Sequence, residues 1–125
     1  MKAVYIKAET MELKIINLIE GDDSSMFNQI HELLGVPSVD YALRTIENKA
    51  YYFMVDDVGL NKENFIISAW SPDRDSVLAG NLIISKTNYI GELEELNSSD
   101  VERIERNIDE VMLKDGTKKK ILLLD

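Results

Sequence analysis

Hydrophobic and polar positions alternate along the opening of the chain, the period of a strand with one buried face. Lys2 to Lys7 and Met11 to Leu18 carry this pattern on either side of Glu9-Thr10, which predicts a β-hairpin. In its second strand Met11, Leu13 and Ile15 alternate with Glu12 and Lys14, so the face bearing the three apolar residues is expected to be buried. The period then changes. After the polar loop Glu20 to Ser25, which ends in the N-cap candidates Ser24 and Ser25, Met26, Phe27, Ile30, Leu33 and Leu34 recur at helical spacing. Gly35 and Pro37 supply the stop. A short amphipathic helix laid on the sheet is predicted.

Val39 to Ile46 and Lys49 to Val55 flank Glu47-Asn48 and predict a second hairpin. Asp56 to Gly59, with Asn61, reads as the loop that follows. The stretch from Asn64 to Thr87 organises the rest of the chain. Its apolar runs, Phe65 to Trp70 and Val77 to Ser85, are each long enough for a strand, and Ser71-Pro72-Asp73 between them is turn chemistry. Gly80-Asn81 breaks the second run, which predicts a bend, a bulge or a close backbone approach. Asn88 to Leu96 is a connection anchored by Tyr89 and Ile90. Ser99 and Glu102 then have capping-box spacing, and Val101, Ile104, Ile108, Val111 and Met112 form an apolar stripe that predicts a helix running almost to Gly116. Ile121 to Leu124 is a terminal strand too apolar to be left free, so it is expected to join the sheet or a neighbouring subunit.

The 125 residues predict one domain, residues 1–125, large enough to bury a core. The chain has no cysteine, which excludes disulfides, thiolate metal sites and cysteine nucleophiles and fits a reducing cytosol. No apolar run approaches the roughly 20 residues of a membrane helix, and the N-terminus reads as a strand rather than a signal peptide. Neither a membrane nor a nucleic acid is expected as a partner, since a net charge of −9 argues against phosphate-backbone binding. Eight acidic residues between Glu92 and Glu110 face only Arg103 and Arg106. They fit a solvated helix face, or a surface that imitates DNA.

Catalytic chemistry is scarce. His31 is the sole histidine and flanks the apolar face of the first helix. The phosphate-loop, dinucleotide and nucleophile-elbow motifs are absent. Asp56-Asp57 and Asp73/Asp75 could hold a hard cation, and they fit turn-forming aspartates as well. Binding is the better class, with no metal or cofactor expected. There are four arginines against ten lysines, and an arginine's planar fork suits phosphate. Arg44 and Arg74 lie on or beside strands with aromatic company. Arg103 and Arg106 lie on the last helix, where Arg106 is expected to pair with Glu102 or Glu110. Trp70, Tyr52 and Tyr89 could stack on a base, or belong to the core. Trp70, Arg74 and the backbone near Asn81 fit a ligand site and an ordinary hairpin corner alike.

The order of elements resembles a small family common in phage and mobile-element genomes, catalogued as a domain of unknown function. The pieces that carry the likeness are Met1 to Ile6, Leu33-Leu34-Gly35, Tyr51 to Val55, Ala79 to Ile84 and Leu96 to Val101. Where that family has an Asn-Arg pair before its glycine-bearing strand, this chain has Pro72-Asp73-Arg74. Size, acidity and a composition rich in Lys, Ile and Asn also resemble the phage anti-Thoeris sponge proteins. Those oligomers sequester, without cleaving them, cyclic ADP-ribose signals made by bacterial TIR enzymes. The resemblance implies a cytoplasmic protein of an infected bacterium and a dimer or dimer-based homo-oligomer. It also implies a pocket with arginine for pyrophosphate and an aromatic for adenine. The candidate ligand-binding residues are Arg44, Arg74 and Trp70 first, then Tyr52, Asn81, Tyr89 and Arg103.

The expected fold is therefore α+β, an antiparallel sheet of about six strands with two packed helices. The leading expected function is non-enzymatic sequestration of a nucleotide-derived signal. The runner-up is an acidic inhibitor that binds a basic protein through Glu102, Glu105 and Asp109. A third reading is metal-assisted hydrolysis through Asp56, Asp57, Asp73 and Asp75.

Overall fold

The computed structural model describes residues 1–18, 23–57, 65–88 and 90–125. The first hairpin pairs β1 (Lys2–Lys7) with β2 (Glu12–Asn17), and α1 (Asp23–Leu34) follows, ending at Gly35 with φ of 68°. The second hairpin pairs β3 (Val39–Ile46) with β4 (Lys49–Asp56). Its two-residue turn places Glu47 and Asn48 at φ of 52° and 65°, the left-handed geometry that matches the twist of the flanking strands. Then come β5 (Ile67–Ser71), β6 (Ser76–Ala79), β7 (Leu82–Thr87) and the short β8 (Leu93–Glu94). The chain closes with α2 (Ser98–Arg106), β9 (Ile108–Met112) and β10 (Lys118–Leu123).

The α+β class holds, but the strands make two sheets rather than one. The larger has the order β2-β1-β7-β4-β3, with β8 added on β7, and the smaller has the order β6-β5-β10-β9. Among the described residues all pairings are antiparallel except β10 with β5. Gly80 is the reason. At φ of 82° it turns the chain between β6 and β7, so the single apolar run of the sequence is divided between two sheets.

Strand alternation sorts the core into two layers. Ala3, Met54 and Ile83 face α1, where they pack with Leu18, Ile30 and Leu34. Val4, Ile6, Phe53, Leu82 and Ile84 face the other way, onto Ala69, Leu78 and Leu122 of the small sheet and Val101 and Ile104 of α2. Each large apolar side chain fully buried here contributes about 1.5–3 kcal/mol. The terminal leucines lie inside this layer: Leu122 and Leu124 are buried, so the tail joins its own small sheet. Asp125 ties the layers together. Its carboxylate accepts from the amides of Glu47 (3.1 Å) and Asn48 (2.8 Å), and its main-chain oxygen accepts from the Ser71 hydroxyl.

Three local expectations are corrected. Ile15 lies on the same face as Leu13 but is 55% exposed, because β2 is an edge strand and none of the described residues forms a layer over that part of it. The last helix stops at Arg106, and Ile108, Val111 and Met112 belong to β9. Asn107 ends the helix by donating its side-chain amide to Arg103 O at 2.7 Å, and β9 then pairs with β10. The capping box is two residues earlier than expected, at Asn97 and Asp100 rather than Ser99 and Glu102. Asn97 is the N-cap, accepting from Asp100 N, while the Asp100 carboxylate accepts from Asn97 N, each at 2.9 Å. Among the described residues no helix is long and apolar enough to cross a membrane.

Candidate functional site

The side of the small sheet that faces away from the core is unusually apolar. A β-bulge between Ile67 and Ala69 buries both Ser68 and Ala69, which brings Ile67 and Trp70 onto the opposite, outer face. Val77, the cross-strand partner of Trp70, lies beside it, and Val111 of β9 and Ile121 of β10 continue the surface. Phe65, Met112 and Leu113 raise an exposed apolar rim. The result is an open groove of about 490 Å³, within the size range of small-molecule sites.

Two lysines give the groove its polar chemistry. Lys114 is exposed at the β9–β10 turn, and Lys119 is half-buried in the groove wall. Burial lowers the Lys119 ammonium below the usual lysine range. Its one hydrogen bond among the described residues runs to Lys120 O at 3.2 Å, and it has no carboxylate partner there. A partly desolvated cation in the same groove as an indole, with no carboxylate partner among the described residues, can take a ligand that joins a flat ring to an anionic group.

A second cationic pocket, of about 280 Å³, lies where α2 meets the large sheet, with Lys49, Tyr51, Lys86, Asp100 and Arg103 in its lining. Here the charges are consumed internally. Asp100 accepts from Lys86 Nζ at 2.9 Å and from the Tyr51 hydroxyl at 2.8 Å, while Arg103 Nη1 donates to that hydroxyl at 2.8 Å. Burial pushes the Asp100 carboxyl up, but the Asn97 amide, Lys86 and Tyr51 together hold it below the usual range. Burial raises the Tyr51 phenol despite the Arg103 hydrogen bond. Arg106 pairs neither with Glu102 nor with Glu110. It grips Glu47 with two 2.7 Å bonds, which with Asn107 lower the Glu47 carboxyl to about 2.

The residues picked from the sequence do not assemble into one pocket. Trp70 is in the groove. Arg44 is on the other side of the small sheet, with Nη2 3.4 Å from Ser76 Oγ and Nη1 2.9 Å from Leu43 O. Ser76 and Val77 are adjacent in β6 and point to opposite faces, which separates Arg44 from Trp70. Arg74 is exposed at the tip of the β5–β6 turn. Tyr52 stacks on Tyr41 over the α1 side of the large sheet, with centroids 5.4 Å apart. Asn81 spends its side-chain oxygen on Ala8 N at 2.9 Å, and Arg103 belongs to the α2 node. Tyr89 lies outside the described residues, as do Gly59 and Asn61. His31 packs against Phe27 with ring centroids 4.0 Å apart and the rings tilted by 47°, and has Nδ1 3.1 Å from Val36 O, a helix-end role. Asp57 accepts from Ser38 Oγ at 3.1 Å, and among the described residues no group of three or more His, Asp or Glu could hold a metal ion.

Lys119 is absent from the residues expected from the sequence. Its only signal in the sequence is that Lys118-Lys119-Lys120 leads into a buried strand, which puts successive lysines on opposite faces and so separates Lys119 from Lys118 and Lys120. Comparison with protein-family models, curated proteins and solved structures finds no match.

Proposed function

We propose that this protein binds and sequesters a small nucleotide-derived anion without cleaving it, as the likeness to the phage sponge proteins implies for a cyclic ADP-ribose isomer, and that the Trp70 groove is the binding site. The observation that carries this reading is Lys119, a half-buried ammonium without a carboxylate partner among the described residues, set in the same apolar wall as the only tryptophan. A base stacked on Trp70 would leave its phosphate within the reach of Lys119 and Lys114. The arginine role of the sequence reading passes to lysines.

The test is a thermal-shift screen with ADP-ribose, cyclic ADP-ribose isomers, NAD and cyclic dinucleotides, with and without magnesium. A ligand at 1,000 times its dissociation constant adds about 4 kcal/mol of stability. One isomer should raise the melting temperature and be recovered intact after denaturation. Recovery of a cleaved product would make the protein an enzyme, and no shift across the panel would end the nucleotide reading.

The acidic surface supports a second reading. Glu102 and Glu105 on α2 and Asp109 on β9 are all exposed, so a basic protein surface could dock there. Charge reversal at these three positions would abolish such docking and leave a ligand in the Trp70 groove untouched.

A further inference from the structure

The outer edge of β3 has the pattern of a self-complementary strand. We propose that two copies of this chain pair antiparallel through β3, centred on Ala42, and so continue the large sheet across a two-fold axis.

The backbone sets the register. Ile46 and Lys49 close a two-residue turn, so Ile46, Arg44, Ala42 and Asp40 hold the hydrogen-bonded positions toward β4. Tyr41, Leu43 and Thr45 then point their amides and carbonyls away from the sheet. Their partners agree with that orientation. Tyr41 N is taken by Asp40 Oδ1 at 2.9 Å, Leu43 O by Arg44 Nη1 at 2.9 Å, and Thr45 O by Asp125 N at 3.0 Å. Among the described residues no strand pairs with this edge. A two-fold on Ala42 sets Tyr41 opposite Leu43 of the second copy, outward groups facing outward groups, and each such pair exchanges both main-chain bonds.

The side chains fit the same axis. It sets Asp40 opposite Arg44 of the second copy on one face of the sheet, twice by symmetry. Neither residue has an ion-pair partner among the described residues. On the other face Tyr41, 40% exposed, meets Leu43, 55% exposed. Shifting the register by one residue would lose both matches. In the lone chain Asp40 and Arg44 blunt the edge by capping their own backbone, and in the pair they exchange those caps for each other. The Asp125 amide on Thr45 O limits the shared segment at that end. The expected homo-oligomer thus acquires an interface that uses neither the buried tail nor the Trp70 groove.

Sedimentation across a concentration series reaching the millimolar range should show a monomer–dimer equilibrium. Asp40→Arg and Arg44→Glu should each weaken it by at least about tenfold, and the double charge swap should restore it. Leu43→Pro removes only an outward-facing amide, so the fold should stand while the dimer is lost. The Leu43 amide should exchange with solvent more slowly as concentration rises, and the Ala42 amide should be protected throughout. A wild type that stays monomeric would overturn the proposal. So would a dimer that Leu43→Pro and the charge variants leave unchanged.

Discussion

Two cation-bearing regions of this molecule have opposite fates. At α2, Lys86 and Arg103 are bound to Asp100 and the Tyr51 hydroxyl, and Arg106 is bound to Glu47. At the small sheet, Lys119 sits half-buried in an apolar wall, and its one hydrogen bond among the described residues is to the neighbouring Lys120 carbonyl. A cation that the fold has already neutralised is structure. One that is partly desolvated and uncompensated can bind an anion from outside. Arginine looked the better phosphate ligand in the sequence, yet Arg103 and Arg106 are committed to internal partners.

The contrast predicts which variants unfold the protein and which only stop it binding. Asp100→Ala should cost the most, about 3 kcal/mol of stability by denaturant titration, because it removes the acceptor of the Tyr51 hydroxyl, the ion-pair partner of Lys86 and half of the capping box. The affinity of the remaining folded protein for a groove ligand should not change. Trp70→Ala should do the reverse, weakening the ligand by about 2 kcal/mol, roughly thirtyfold in calorimetry. Lys119→Met keeps the apolar stem and loses the charge, so affinity should fall by about 1.5 kcal/mol, roughly tenfold, with stability held or slightly raised.

Acid gives the smallest effect and still separates the two regions. The Glu47 carboxyl titrates near 2 in the folded protein, below the roughly 4.3 of an unfolded chain. A depressed carboxylate stabilises the fold above the unfolded value and loses that contribution as pH falls through about 2. Melting temperature should therefore decline across that window, and Glu47→Gln should flatten that part of the decline. Ligand affinity at the groove should not follow the Glu47 titration.

Local order was legible where local chemistry sets it. The two opening hairpins and α1 follow from alternation, the Glu47-Asn48 turn and the Gly35 stop. The division into two sheets was not, because it depends on the direction of the chain after Gly80 and on β10 reaching back to β5. The overlong helix has a similar cause. Ile108, Val111 and Met112 fit a helical stripe as readily as a strand, and only pairing with residues 118–122 decides between them. At the site, Trp70 was visible as a lone aromatic beside a turn. Arg44 was a candidate for the same ligand, and strand alternation places it on the opposite face of the small sheet.

An amide chemical-shift titration of the wild-type protein with the ligand that raises its melting temperature tests the central claim most directly. The account predicts perturbations concentrated on Trp70, Val77, Val111, Lys119 and Ile121, with Asn97, Ser99 and Asp100 unmoved. Shifts centred on α2 and Lys86, with the groove silent, would contradict it.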